Sequence, residues 1–218
     1  KDLLEKYNIP VPRTLEELEN ASKQIYKLTN GEVYGIVNRG SGSAATSMFV
    51  NVLNEFGGRW EDDQGNLLLT SPEAIEAFEW WGRTLKLYGP RGSTSFGWYE
   101  AVNVFLQGKA AFSLESALNP GNINDPKQSR VRGKVGFAVI PNGPGGEGVR
   151  KASPSRTSIV RGWSISNFSE NKEAAWLYIQ YMVGKEAQVE HIKTGKPPAR
   201  ISPWNNSEFL TERPDEVE

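Results

Sequence analysis

Apolar positions recur at helical spacing in several segments of the chain, with polar residues between them. One helix is predicted from four such positions, which are Leu15, Leu18, Ile25 and Leu28. Thr14 and Glu17 form a capping box at its start, in which the side chain of each residue can bond to the backbone of the other. Asn30 and Gly31 favour the end of this helix.

The same reasoning predicts further helices. They cover residues 2–7, 44–55, 72–85, 99–107, 169–182 and 185–193. Ser71 and Ser169 are the expected caps of two of them. The helix after Ser71 has one apolar face, formed by Ala74, Phe78, Trp81 and Leu85. The helix after Ser169 has apolar positions at Ala175, Leu177, Tyr178 and Tyr181.

Short apolar runs bounded by glycine and polar residues predict strands between these helices. The predicted strands cover residues 33–37, 110–114, 134–140 and 159–165. Residues 59–69 are expected to form a hairpin with its turn at residues 63–66. Because helices and strands alternate, the pattern favours an α/β fold.

Composition narrows the functional classes. The 218 residues carry a net charge of −1 without a basic cluster, so a nucleic-acid partner is not expected. The chain has no cysteine and one histidine, which excludes thiol chemistry and leaves no parts for a histidine-rich metal site. No cofactor or metal is expected. Seven Trp, seven Tyr and nine Phe are enough for some rings to stack on a ligand, although most should be core.

Several segments, in order, resemble one protein family. Residues 1–4 and 11–18 look like its "KDLF…VPKTWEEL", residues 57–58 and 71–74 like "GG…NSPEAVEAL", and residues 105–112 like "FAQGKAAM". Residues 133–141 look like "GKVGYAPLP", and residues 162–165 and 171–176 like "GGWGLAI…NKEAAWEFI". The chain is therefore similar to the family 1 extracellular solute-binding proteins, which include the maltose- and polyol-binding proteins.

The resemblance implies a type II periplasmic-binding-protein fold, in which two α/β lobes close on a ligand. Residues 1–160 would form most of the second, C-terminal lobe. Residues 161–218 would form the strand that crosses the hinge and helices of the first lobe, which is incomplete here. We therefore expect the chain to be roughly half of a longer protein.

Two candidate ligand contacts follow predicted strands. Glu115 ends the 110–114 strand, and its carboxylate is suited to accept bonds from two sugar hydroxyls, although a cap or an ion pair is the alternative. Arg39 follows the 33–37 strand, and polyol-binding relatives often have Arg-Gly at this place. Its planar guanidinium can grip vicinal hydroxyls. Ser43 is a weaker candidate in the same region.

The other candidates are aromatic or belong to the crossing strand. The resemblance places Trp163 in the cleft, and Gly162 before it would let the backbone approach a ligand. A hinge-core role is the alternative for Trp163, and a hinge salt bridge is the alternative for Arg161. Trp98 would border the site or instead anchor the start of its helix.

The function that the resemblance implies is capture of a sugar or polyol outside the cytoplasm and its delivery to the permease of an ABC importer. Such a protein is a binder without catalytic residues, and a monomer is expected. It would reside in the periplasm or on the cell surface as a lipid-anchored lipoprotein. The alternatives are a chemosensory binding protein of the same fold and a glycan-acting enzyme with two carboxylates.

Overall fold

A computed structural model describes residues 1–115, 120–144, 162–194 and 198–206. Its strands are β1 (Tyr34–Ile36) and β2 (Ala110–Phe112). Its first helices are α1 (Asp2–Tyr7), α2 (Leu15–Leu28), α3 (Gly42–Glu55), α4 (Pro72–Tyr88) and α5 (Trp98–Leu106). They are followed by α6 (Pro120–Asn124), α7 (Lys172–Met182), α8 (Lys185–Lys193) and α9 (Ile201–Trp204). A short 3-10 helix covers Ser93–Ser95.

The two strands lie side by side and run parallel. Tyr34 is opposite Ala110, and Ile36 is opposite Phe112. The pairing continues past β1, because the Val37 amide donates to the Phe112 carbonyl at 2.9 Å. The chain between the strands passes through α3, α4 and α5, as a parallel pair requires a long crossover. The α/β fold class is confirmed.

The main core lies where α2, α3 and α4 meet β1. It is formed by buried side chains that include Leu15, Leu18, Ile36, Phe49, Leu53, Trp80, Trp81 and Leu85. Helix α2 lies directly on β1 at Gly35, where a Cβ atom would be only 2.3 Å from the Ser22 carbonyl oxygen. Glycine is therefore required at this helix–strand contact.

The capping box before α2 forms as predicted. The Glu17 amide donates to Thr14 Oγ1 at 3.1 Å, and Glu17 Oε2 accepts from the Thr14 amide at 3.3 Å. The bounds of α1 and α8 agree with the prediction, and those of α2 to α5 agree to within a few residues. These agreements arise because the caps and the apolar spacing are local signals.

Three predicted β segments differ from the structure. Residues 135–140 pair with no strand of the described residues, and most of their side chains are exposed although a buried strand was expected. Residues 162–165 likewise form no strand, and residues 159–161 lie outside the described residues. The hairpin is reduced to one antiparallel bridge, between Glu61 and Leu67. An apolar run shows that a segment can pair, but the partner strand has to be present.

Two details of the helices are also corrected. Phe78, which was expected to be core, is 46% exposed, whereas the neighbouring Trp80 is buried. Phe78 still stacks on Phe49 with ring centroids 4.2 Å apart, at the edge of the core. Ser169 does not cap α7, because the helix begins three residues later and Ser169 Oγ accepts from the amide of Asn171.

Helix α7 has no buried residue. Four of its large apolar side chains are exposed, namely those of Trp176, Leu177, Tyr178 and Tyr181. Helix α8 is connected to the segment before α9 through the buried Gln188, whose Nε2 donates to the Met182 carbonyl and whose Oε1 accepts from the Ala199 amide. A helix with large apolar side chains on its surface normally packs against another element.

Candidate ligand site

A crevice of about 2190 Å³ runs past the carboxyl end of β2. Its walls include residues 110–115, residues 134–141, the start of α1, and Gly162 with Trp163. This volume exceeds the 300–1,000 Å³ usual for small-ligand pockets, so the feature is an open crevice rather than a closed pocket. Three of the predicted site residues line it, which are Glu115, Gly162 and Trp163.

Arg39 and Glu115 hold matching places after the two strands. Each comes three residues after a position of the paired register, Ile36 in β1 and Phe112 in β2. Because the strands are parallel, both residues lie at the same edge of the pair. This is the edge where ligands bind in open parallel sheets.

The two side chains form a buried ion pair. Arg39 Nη2 donates to Glu115 Oε2 at 2.6 Å, and the side chains are only 8% and 9% exposed. Arg39 Nη1 also lies 3.4 Å from Ser47 Oγ, at the limit of hydrogen bonding. Arg39 Nε is buried without a hydrogen-bond partner among the described residues. Glu115 is among the residues that line the crevice, whereas Arg39 is not.

Two residues that support this pair were missed by sequence reasoning. Asn38 is fully buried, and its Oδ1 accepts from the Leu114 amide at 2.8 Å, which joins the segments after the two strands. Ser47 lies one helical turn after the predicted Ser43, on the same face of α3. The i, i+4 relation between the two serines was a signal that would have identified Ser47.

The loop after Arg39 is fixed to the loop before α5. The amides of Gly40 and Ser41 both donate to the Phe96 carbonyl, at 2.9 and 3.1 Å. The approach at Gly40 is so close that a Cβ atom would lie 2.0 Å from the Ser93 carbonyl oxygen. Glycine is therefore required here, and the two loops hold a fixed relation to each other.

Trp98 begins α5 directly after this clamped loop, but it does not line the crevice. Its half-buried ring meets Tyr99 edge-on at 4.7 Å and packs against a small cluster formed by Val102, Leu106 and Ile123. These contacts fit the alternative interpretation of Trp98, in which it anchors the start of its helix. Its indole N–H is buried without a partner in the described part of the chain.

Trp163 is a large ring at the surface of the crevice. It is 58% exposed, and it meets the ring of Tyr178 on α7 edge-on at 5.8 Å and 87°. Gly162 beside it is exposed, with open space where a Cβ atom would stand. The third residue predicted in this segment, Arg161, lies outside the described residues. Ser43 is exposed in the first turn of α3 and does not line the crevice.

Two carboxylates with lowered pKa values lie elsewhere, in the turn of the hairpin. Hydrogen bonds from Asn66 to both carboxylate oxygens hold the pKa of Asp62 below its ordinary value. Its neighbour Asp63 has a lowered pKa because Arg59 bonds to it at 2.8 Å. These carboxylates are bonded within the turn, and the described residues contain no cluster of acidic or histidine side chains arranged to hold a metal ion.

Comparison with known proteins identifies the class. The model of the bacterial extracellular solute-binding protein family matches residues 1–189. The chain is 26% identical, over 95% of its length, to a mannitol-binding protein of Pseudomonas aeruginosa. It is 29% identical to maltose-bound MalE3 of T. maritima, with a TM-score of 0.84 over the whole chain. It is 26% identical to a D-mannitol-bound solute-binding protein of Agrobacterium vitis, with a TM-score of 0.81.

The Pseudomonas relative is named as a binding protein, and the Agrobacterium structure as the solute-binding protein of an ABC transporter. The chain belongs to the bacterial extracellular solute-binding protein family. It spans about half the length of its relatives, covering 48% of the mannitol-binding protein and 55% of MalE3. No helix within the described ranges has the length and apolar character needed to cross a membrane.

Proposed function

We propose that the protein containing this chain captures a sugar or polyol and delivers it to the permease of an ABC importer. Its family and the ligands named for its relatives, mannitol and maltose, support this substrate class. The observation that carries the proposal is the crevice at the carboxyl end of β2, which Glu115 and the large aromatic residue Trp163 both line. Those two groups suit the hydroxyl rim and the C–H face of a carbohydrate.

In this mechanism Glu115 accepts hydrogen bonds from ligand hydroxyls, and Trp163 covers an apolar face of the ligand. Gly162 keeps the backbone beside that ring accessible. Arg161 would add a donor from the same segment. Closure of two lobes around the ligand would then produce the form that a permease recognises.

The other predicted contacts have different places in the proposal. Arg39 supports Glu115 from behind through their ion pair. Trp98 and Ser43 lie off the crevice wall and would reach a ligand only at the margin of a closed site. The site would then be formed mainly by the segments after β2 and before α7.

The exposed surface of α7 supports a proposal for the domain organisation. Residues 1–160 would be the larger part of the second, C-terminal lobe, and residues 161–218 would belong to the hinge and to the first lobe. The exposed apolar side chains of α7, such as Leu177 and Tyr181, support this division because a companion lobe would cover them. In the full-length protein, Leu177→Glu should then lower the free energy of unfolding by about 2 kcal/mol or more. If Leu177 is exposed there as well, the change should be less than ~0.5 kcal/mol.

A thermal-shift screen of the full-length protein tests the ligand class. The panel holds monosaccharides, disaccharides, polyols, amino acids and peptides, because a ligand bound only by the folded state raises the melting temperature. We expect a rise with at least one sugar or polyol, and a smaller rise in the Glu115→Ala and Trp163→Ala variants. A rise only with amino acids or peptides would overturn the substrate class.

Delivery to a permease needs a separate measurement, because a chemosensory protein of the same fold would pass the binding test. We expect a strain that lacks the protein to lose uptake of the radiolabelled ligand found in the screen. Normal uptake with lost chemotaxis would instead support the sensor. Cell fractionation would show whether the protein is in the periplasm or anchored on the surface as a lipoprotein.

A further inference from the structure

An acidic groove of about 290 Å³ lies between α2 and α4, and none of the described residues lines both it and the crevice. Four carboxylates and one cation line it. The cation, Arg83, is already bound to Glu19, because its Nε and Nη2 atoms each lie 2.8 Å from a carboxylate oxygen. Glu16, Glu76 and Glu79 are exposed, and none of them forms an ion pair within the described ranges. The acidic groove therefore has an excess of negative charge.

The wall of the acidic groove also contains a buried donor. Trp80 lines the groove and is only 3% exposed, and its indole N–H has no hydrogen-bond partner among the described residues. A buried donor without an acceptor costs free energy. An oxygen brought against this wall from another part of the chain would therefore stabilise it.

A segment of the chain begins at the acidic groove. Gly143 and Pro144 line the groove, and they are followed by residues 145–161, which lie outside the described residues. The starting point of this segment is fixed, because the Leu15 amide donates to the Asn142 carbonyl at 2.7 Å. Gly143 is itself buried, with no space for a Cβ atom. The fold thus places the beginning of the segment against the groove.

The charge of this segment is opposite to that of the acidic groove. Residues 145–161 contain one acidic residue, Glu147, and four basic residues, which are Arg150, Lys151, Arg156 and Arg161. Arg150 comes six residues after Pro144, and an extended chain advances about 3.3–3.6 Å per residue. The carboxylates on α4 lie within a few helical turns of about 5.4 Å each. Arg150 and Lys151 can therefore reach all of them.

We propose that the acidic groove binds Arg150 and Lys151 of the same chain, against Glu16, Glu76 and Glu79. A cleft lined by charges of one sign concentrates their field, which favours a basic occupant. The segment ends beside Gly162, which lines the crevice, so the groove would hold the start of the connection that leads to the crevice wall. This proposal concerns an interaction within the chain and does not depend on the ligand.

Zero-length carbodiimide coupling tests the proposal in the unmodified full-length protein. It joins a lysine to a carboxylate only where the two groups touch, and peptide mass spectrometry identifies the pair. We expect Lys151 to couple to Glu76 or Glu79 roughly tenfold more than to Glu32, which is exposed beyond the other end of α2 and does not line the groove. The preference should fall at least threefold in about 0.5 M NaCl, because salt screens exposed charges.

Introduced cysteines give a second measurement, since the chain has none of its own. Val149→Cys with Glu79→Cys keeps both basic residues, and Val149→Cys with Lys86→Cys is the matched control. Lys86 is exposed on α4 two turns further on and does not line the groove. The first pair should form its disulfide roughly tenfold faster. Neutralising Arg150 and Lys151 to Gln should slow it at least threefold, whereas Arg156→Gln should leave the rate unchanged.

The outcomes decide the proposal in either direction. Equal coupling of Lys151 to Glu32 and to the groove carboxylates, or equal disulfide rates for the two cysteine pairs, overturns it. Rates that neither salt nor the neutralised variant changes overturn it as well, because charge would then not hold the segment. Products that join two molecules, seen as dimers on denaturing gels, would assign the groove to a second copy instead. No carbohydrate takes part, so a failed ligand screen leaves these results standing.

Discussion

Arg39 and Glu115 lie 76 residues apart in sequence, yet the Nη2 of one and the Oε2 of the other are 2.6 Å apart. The register of β1 and β2 explains the meeting, because both residues follow a paired position by three. The pair joins the ends of the two strands together with Asn38, which bonds to the amide of Leu114. The ion pair, the register of the two strands and the geometry of the candidate site therefore depend on one another.

Removing one member of this pair should cost more stability than removing both. Arg39→Met leaves the Glu115 carboxylate buried without its counter-charge, and such losses typically cost about 3–5 kcal/mol. Arg39→Met combined with Glu115→Leu removes both charges of the pair and should recover most of that loss. Urea unfolding of the two variants measures the difference. A double variant less stable than the single one would contradict the expectation.

Gly40→Ala should prevent the close contact between the two loops at the end of β1. The new Cβ atom would lie 2.0 Å from the Ser93 carbonyl oxygen, so one loop must move. We expect a loss of about 1–3 kcal/mol in urea unfolding. Gly82→Ala is the matched control, because Gly82 lies within α4 with open space around it and alanine favours helices. It should stabilise by roughly 0.5–1 kcal/mol.

The capping box before α2 should respond to the loss of one hydroxyl. Thr14→Ala removes the oxygen that accepts from the Glu17 amide, and the loss of such a cap costs about 1 kcal/mol. Thr14→Ser keeps the oxygen and should stay close to the wild type in the same unfolding measurement. Equal losses in the two variants would show that the threonine methyl group, rather than the cap, stabilises this end of the helix.

The helices were predictable because their signals are local. Thr14 and Glu17 are three residues apart, and Pro72 follows a serine cap, so a short window of sequence contains the whole signal. The strand predicted at 134–140 failed for the opposite reason. Its apolar residues resemble a strand, but pairing depends on a partner that no local window contains, and the described residues provide none.

The candidate site likewise combines features that local sequence predicts with features that depend on distant residues. Glu115 and Arg39 were singled out because each follows a predicted strand, and Arg39 also because polyol-binding relatives often have Arg-Gly at this place. Their ion pair depends on the register, and the register became visible only in the fold. Trp98 is half-buried and α7 is exposed because of the elements that do or do not surround them. The spacing of apolar residues in the sequence showed that these side chains are apolar, but it could not show which neighbours they contact.

The hairpin turn should make a small contribution to stability that depends on pH. Hydrogen bonds from Asn66 lower the pKa of Asp62 in the folded state, so the ionised carboxylate favours folding. This contribution is present above the unfolded pKa of about 3.9 and is lost as the pH falls through the lower folded value. Carbon NMR titration should find Asp62 titrating below ordinary aspartates. Asn66→Ala should raise its pKa, and no change would contradict the role of Asn66.

We expect Trp163 to strengthen ligand binding through the flat face of its ring, which it presents to the crevice. Tyr178 meets the indole edge-on at 5.8 Å, which leaves the ring more than half exposed while restricting its orientation. Trp163→Ala should weaken binding of the sugar or polyol found in the screen about tenfold, equivalent to ~1.4 kcal/mol. Tyr178→Leu should weaken it less, because the ring remains but loses an aromatic contact worth about 0.5–1.5 kcal/mol.

Phe168→Ala is the control for this last prediction. Phe168 is 94% exposed, lies five residues after Trp163 and does not line the crevice, so its loss should leave calorimetric affinity unchanged. Wild-type affinity in Trp163→Ala would give this residue the hinge-core role instead. In that case the variant should lose stability without losing affinity, since a ring that packs in the hinge stabilises the fold and not the complex.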